Sequence, residues 1–178
     1  MDTKLKDALE VKDYYSAHQI YLAIAQRHCR SKRFEEAKQT LKDGCLELCG
    51  RGETKSAVDL GRRYIDTLAL GRLPLIDIDA MGVHAVLTAV GRRSADKENL
   101  RMLADLVIKE QPCLLLVVFH SLLQVGAHKE AGMVLLKLDD AKEEWQLLGA
   151  ASQDPQVILY ITLAGLKARN FGAISCFL

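Results

Sequence analysis

The sequence predicts an all-α fold, an α-solenoid of antiparallel helix pairs of the tetratricopeptide or HEAT type. Three observations predict it. Apolar residues recur at steps of three and four along nearly the whole chain, the spacing that lines one face of a helix. The small residues Ala17, Ala37 and Ala57 stand 20 positions apart, each where a small side chain lets a neighbouring helix approach closely. Three prolines and 6% aromatic residues are too few turn- and strand-formers for a β-sandwich. A helix and turn of that length make pairs of about 40 residues, nearer HEAT and armadillo pairs than the 34 of a tetratricopeptide repeat. The local pattern, an aromatic followed by x-x-Ala-x-x-x-(Tyr/Leu), is tetratricopeptide-like. The expectation is one solenoid over residues 1–178, with about nine or ten helices and no linker long enough to separate two domains.

The elements follow in order. A first helix begins almost at Met1. From Tyr14 a stripe runs through Ala17, Tyr21, Ile24 and His28. Arg30–Arg33 forms a polar turn. The next stripe is Phe34, Ala37, Leu41, Gly44 and Leu48, ended by Gly50-Arg51-Gly52, whose glycines tolerate positive φ. A third carries Ala57, Leu60, Gly61, Tyr64 and Leu68, with Gly61 standing where the earlier copies have Tyr21 and Leu41, and Gly71-Arg72-Leu73-Pro74 ends it. Gly91 closes the following helix, Ser94 caps one from about Ala95 to Glu110, and Pro112 and Pro155 mark later starts. A late copy of the stripe is His128, Ala131, Leu135 and Leu138. The apolar run Cys113–Phe119 is too short for a membrane span, which needs about 20 residues, and reads as a buried helix. Ala141, Trp145 and Leu148 form a stripe that places the single tryptophan in the core.

Composition narrows the function. Hydrophobic residues make up 49%, which excludes disorder, and charged residues 26%. With 24 Lys and Arg against 23 Asp and Glu the net charge is +1, which argues against a nucleic-acid binder. Five cysteines, an odd number without a C-x-x-C pair, and a start lacking a signal peptide's apolar stretch suit a reduced, cytoplasmic protein.

Few residues suggest chemistry. Gly50-Arg51-Gly52-Glu53-Thr54-Lys55-Ser56 imitates a phosphate loop, but Thr54 rather than Gly precedes Lys55 and a helix leads in, so it reads as a helix connection. Cys45 and Cys49, one turn apart, with His28 and Cys29 nearby, make a zinc site conceivable; packing in the core is the plainer reading. His120 and His128 have no Ser or Cys partner in a catalytic order and read as structural. No catalytic residue, metal or cofactor is expected. Two charged features remain. Arg27, His28, Arg30, Lys32 and Arg33 form the densest basic cluster, which is either a solvated helix end or a docking patch for an acidic surface. On the helix of Ala57, the residues Asp59, Arg62, Arg63 and Asp66 fall roughly opposite the apolar stripe, either as intrahelical ion pairs or as a salt-sensitive partner face.

The strings Asp13-Tyr14-Tyr15 and Ala17-His18-Gln19, then Arg27, Arg30-Ser31-Lys32, Glu35, Ala37, Gly44 and Asp59-Leu60, stand in the order and spacing of one family. From Lys12 to Leu68 the chain resembles the Golgi-to-ER traffic protein four family, the helical scaffold of tail-anchored membrane-protein targeting. From Leu70 onward only the helix rhythm matches, with weak echoes at Ser94–Leu100 and Leu122–Ala131.

The resemblance implies an α-solenoid without enzymatic activity. It implies that residues 1–72 face and regulate the pathway's ATPase, and that the remaining stack, 73–178, leads toward a ubiquitin-like protein that recruits a co-chaperone. In animal cells it further implies a Bag-family quality-control complex. No nucleic acid and no direct membrane insertion are implied. Carried over, the ATPase-facing residues are Arg30, Asp59 and Asp66, with Tyr15 and His18 in the shared motif and Arg27 and Lys32 in the basic cluster. Three departures accompany it. Lys12 stands where a glycine commonly precedes the Asp-Tyr-Tyr string and should alter only a turn. Upstream residues that would contact the ATPase are absent. The chain stops at Phe177-Leu178, short of the family's last helices, which leaves the ubiquitin-like partner's surface incomplete. The alternative to this scaffold is a helical-repeat adaptor in another cytosolic assembly, such as a vesicle coat or a proteasome-associated complex; a helical enzyme or metal-binding domain is the third reading.

Overall fold

The second helix begins at a local signal. Asp13 accepts a hydrogen bond from the Ser16 amide at 3.0 Å, satisfying one of the unpaired donors of the helix that follows. Hydrogen bonds from the Ser16 side chain and amide hold the Asp13 carboxyl below its ordinary range. The computed structural model describes residues 3–70, 77–93, 97–138, 142–152 and 154–167. They form α1 (Thr3–Glu10), α2 (Tyr14–Arg30), α3 (Phe34–Gly50), α4 (Thr54–Leu70), α5 (Asp77–Arg93), α6 (Glu98–Glu110), a 3-10 turn (Pro112–Leu114), α7 (Leu115–Gln124), α8 (His128–Leu135), α9 (Lys142–Ala151) and α10 (Pro155–Lys167). Among the described residues there are helices and no strand, as an all-α solenoid requires. The turn at Gly71–Pro74, the Ser94 cap, Ala141 and the Trp145 side chain lie outside the described residues.

The 20-residue rhythm is physical. The helices α2, α3 and α4 are each 17 residues long and start at equivalent positions of the repeat. Ala17, Ala37 and Ala57 are all 0% exposed, each at a point where adjacent helices cross. Helices pack against their neighbours in sequence and also against the next but one, α3 on α5, α4 on α6, α5 on α7 and α8 on α10. The result is two layers of a superhelical stack.

The turns repeat as well. The amides of Asp13, Arg33, Glu53 and Ala127 donate back to the carbonyls of Ala8, His28, Leu48 and Leu122 at 2.8–2.9 Å. That is the helix-ending loop in which one residue is left-handed. The left-handed residues are Lys12 (φ 61°), Lys32 (φ 57°), Gly52 (φ 88°) and Gly126 (φ 70°). A side chain at such a position costs about 1–2 kcal/mol, part of which glycine's greater freedom in the unfolded chain offsets. Lys12→Gly is therefore expected to raise stability by about 0.5–1 kcal/mol, seen as a higher urea midpoint at unchanged slope; a lower midpoint would contradict the turn's geometry.

Several expectations need correction. Ile24 and His28 are only half-buried, and the buried line of α2 is Ala17, Tyr21 and Ala25, because steps of four track the crossing with the next helix. Gly91 does not end a helix. It lies inside α5, where a Cβ would meet Val125 Cγ2 at 2.8 Å, so it lets α7 approach. The sixth helix starts at Glu98 rather than near Ala95. The run Cys113–Phe119 is not wholly buried: Val118 and Phe119 are inside, but Leu116 is 45% exposed and Cys113 and His120 face solvent. His120 is thus a surface residue, its ring edge-on to Phe119. Gly61, the odd member of its stripe, makes room for α5, since a Cβ would sit 3.1 Å from Val86.

Candidate partner-binding groove

Because α2 and α4 are next-but-one neighbours, a groove runs between them over α3. Its floor is Leu41, its walls include Leu22 and Ala25, and its rim carries Arg30 from α2 and Arg63 and Asp66 from α4. The cavity holds about 280 Å³. Arg30 and Arg63 are exposed and Asp66 half-buried. Among the described residues none of the three is engaged in a salt bridge, which leaves their charge available to a partner. An apolar floor under unspent charges of both signs suits an amphipathic protein surface better than a small polar ligand.

The same two helices are bridged by a side-chain pair. His18 Nε2 lies 3.0 Å from Asp59 Oδ2. The Gln19 amide nitrogen lies 3.3 Å from His18 Nδ1, and as a donor there it assigns the ring proton to Nε2, which then donates to Asp59. His18 is 12% exposed and Asp59 39%. Asp59 is therefore not a free carboxylate opposite the core, as the helical wheel alone suggests; it is tied across to α2.

The remaining expected residues separate. Tyr15 is 74% exposed, toward the N-terminal end of α2. Arg27 borders a different cavity of about 560 Å³, between α1, α2 and α3, with Leu5, Tyr21 and Asp43. Lys32 occupies the left-handed corner of the α2–α3 turn. The fold thus brings Arg30 to Asp66 and His18 to Asp59, both across α2 and α4, and directs Arg27 to another cavity.

A second bridge escapes simple inspection of the sequence. Lys38 Nζ donates to Asp79 Oδ1 at 2.7 Å and meets Glu35 at 2.8 Å. Burial alone would lower the Lys38 pKa; the hydrogen bonds to Asp79 and Glu35 overcome that and raise it. The phenol of Tyr64, pushed up by burial, donates to the Asp79 carbonyl at 3.4 Å. Both bridges span 41 residues, so Lys38–Asp79 is His18–Asp59 moved on by one repeat, joining α3 to α5. The available signal was a base and an acid two repeats and one residue apart.

Other chemistry is absorbed by packing. Cys45 and Cys49 are 0% and 2% exposed, and contact with Cys49, with burial, pushes the Cys45 thiol up. No cluster of three metal-ligating side chains occurs among the described residues. Gly52 and Thr54 form the α3–α4 connection. His84 Nδ1 meets Ser121 Oγ at 2.8 Å, but that hydroxyl donates to the Val117 carbonyl at 2.6 Å and is fully buried. The pair therefore clips α5 to α7 rather than presenting a nucleophile. Among the described residues no helix is long and apolar enough to cross a membrane.

No protein-family model matches the chain. It is similar to the Golgi to ER traffic protein 4 homolog of Homo sapiens, 29% identical over 77 residues, which are 43% of this chain and 24% of that protein. Protein GET4 of Arabidopsis thaliana is 36% identical over 75 residues, 42% of this chain and 23% of its own length. The homolog of Gallus gallus is 29% identical over 68 residues, 38% of this chain and 22% of its own. The matched stretch thus spans less than a quarter of the length of these relatives.

Proposed function

We propose that the chain belongs to the Golgi-to-ER traffic protein four family and acts in the cytosol as a non-enzymatic scaffold of tail-anchored membrane-protein targeting. Residues 1–72 dock and regulate the pathway's ATPase through the α2/α4 face. One observation supports this reading: Arg30 and Asp66, which the resemblance singles out, line one groove between α2 and α4, the two helices that His18–Asp59 joins. In the same proposal the remaining stack, 73–178, connects to a ubiquitin-like protein and its co-chaperone, and in animal cells to a Bag-family complex. The test is calorimetry of the purified chain with the tail-anchored-targeting ATPase. A saturable complex that weakens with salt is expected. A chain that folds but gives no heat of binding would reject the docking role and leave an adaptor in another assembly.

Asp59 supplies a second test. Its bridge to His18 is worth about 0.2–1 kcal/mol at this exposure, so Asp59→Lys should leave the fold intact. A carboxylate that meets a cation in only one nucleotide state of the ATPase shifts its conformational balance by differential affinity alone. Asp59→Lys is expected to change ATP turnover at saturating scaffold more than it changes the dissociation constant; normal turnover would remove the regulatory role.

A further inference from the structure

We propose that Ser31 is a phosphorylation site, modified by a protein kinase that selects serine between basic residues, and that the phosphate switches off the basic end of α2. Ser31 caps the C-terminus of α2 with φ −86° and ψ 8° and is exposed. Its amide donates to the Arg27 carbonyl at 3.1 Å, and its hydroxyl has no hydrogen-bond partner among the described residues. Most other described serine and threonine hydroxyls differ, and Thr3, also exposed, has an acid, Asp2, before it instead of arginines. Thr40, Thr67, Ser121 and Thr162 donate to the carbonyl four residues back. Ser16 and Ser56 are half-buried on helices.

The setting of Ser31 is cationic on both sides, with Arg27 and Arg30 before it and Lys32 and Arg33 after it. To present an extended strand to a kinase the turn must open locally, releasing the backbone bonds of the Ser31, Lys32 and Arg33 amides, the kind of local opening that helix ends undergo. In the transfer, the Ser31 hydroxyl oxygen attacks the γ-phosphorus of ATP. The new O–P bond forms as the bond to the bridging oxygen of ADP breaks, and the hydroxyl proton passes to a base of the kinase. The product carries about −1.5 to −2 charges at pH 7, cancelling about half of the four neighbouring cations. Its oxygens then engage these neighbouring cations internally and withdraw Arg30, which lies on the groove rim, from an acidic partner. The last step rests on the proposed ATPase-docking role; the modification itself does not.

The experiment incubates the full chain and Ser31→Ala with ATP and the catalytic domain of protein kinase C, which reads basic residues flanking serine. Mass spectrometry locates the phosphate, and the modified chain goes to ATPase calorimetry and to a heparin column. Expected are near-stoichiometric phosphate at Ser31, its loss in Ser31→Ala, elution from heparin at lower salt, and an ATPase complex at least tenfold weaker. No phosphate at Ser31, while a control basic peptide is modified, overturns the proposal. Phosphate at Ser31 with unchanged heparin elution overturns it too. If the unmodified chain fails to bind the ATPase, the docking role fails, and the shift on heparin still decides whether the phosphate neutralises the patch.

Discussion

Replacing Gly44 with valine is expected to lower the stability of the chain by about 3 kcal/mol, at the upper end of overpacking costs. Gly44 lies in α3 where it crosses between α2 and α4. A Cβ there would sit 2.8 Å from both Leu60 Cδ1 and Tyr21 Cγ, so the ring root of Tyr21, itself 5% exposed, would have to shift. The same helix contains its own control. Around Gly50 nothing lies within 4 Å of a Cβ, so Gly50→Ala should be neutral or stabilise by up to about 1 kcal/mol, the difference in helix propensity. Urea unfolding of the two variants measures the contrast. Equal midpoints would mean that the three-helix crossing at Gly44 is not tightly packed.

Arg30→Glu is expected to weaken ATPase binding by more than tenfold at low salt while the fold survives. The side chain is exposed and free of salt bridges among the described residues, so stability should move by no more than about 0.5 kcal/mol. The reversal also places a second acid on a rim that already carries Asp66. An acidic partner then meets repulsion where it met attraction, and the deficit should shrink as salt shortens the screening length. Wild-type affinity in a variant with normal melting would exclude the groove rim as the docking surface, whatever the ATPase does elsewhere.

Much of the architecture is legible because it depends on periodicity. Ala17, Ala37 and Ala57 mark the crossings, and the stripes through Leu41 and Leu60 mark the buried faces, since a helix of this length must hide one side. What stays hidden depends on the backbone or on distance. Lys12 and Lys32 carry no sign of left-handed φ, since glycine is the usual marker. Gly91 resembles a helix stop, yet its role is set by Val125, which arrives from another element. The convergence of Arg30 with Asp66 cannot be read from their separation in the chain, because it needs the angle at which α2 and α4 flank α3. Family resemblance supplied those names; the groove supplies the reason they belong together.

The two 41-residue bridges have a mechanical meaning. One joins the even-numbered helices α2 and α4, the other the odd-numbered α3 and α5, so each acts as a tie-rod along a different side of the same spring. They are unequal in strength. Lys38–Asp79 is sealed, its side chains 11% and 7% exposed, and separating a buried pair costs more than separating one open to water. His18–Asp59 is wetted at its carboxylate, where water replaces the lost partner cheaply. Bending that spreads α2 from α4 is therefore the soft mode of the N-terminal stack, and bending that spreads α3 from α5 is the stiff one. Anything wedged between α2 and α4 pushes along the compliant direction, where the wetted bridge yields first.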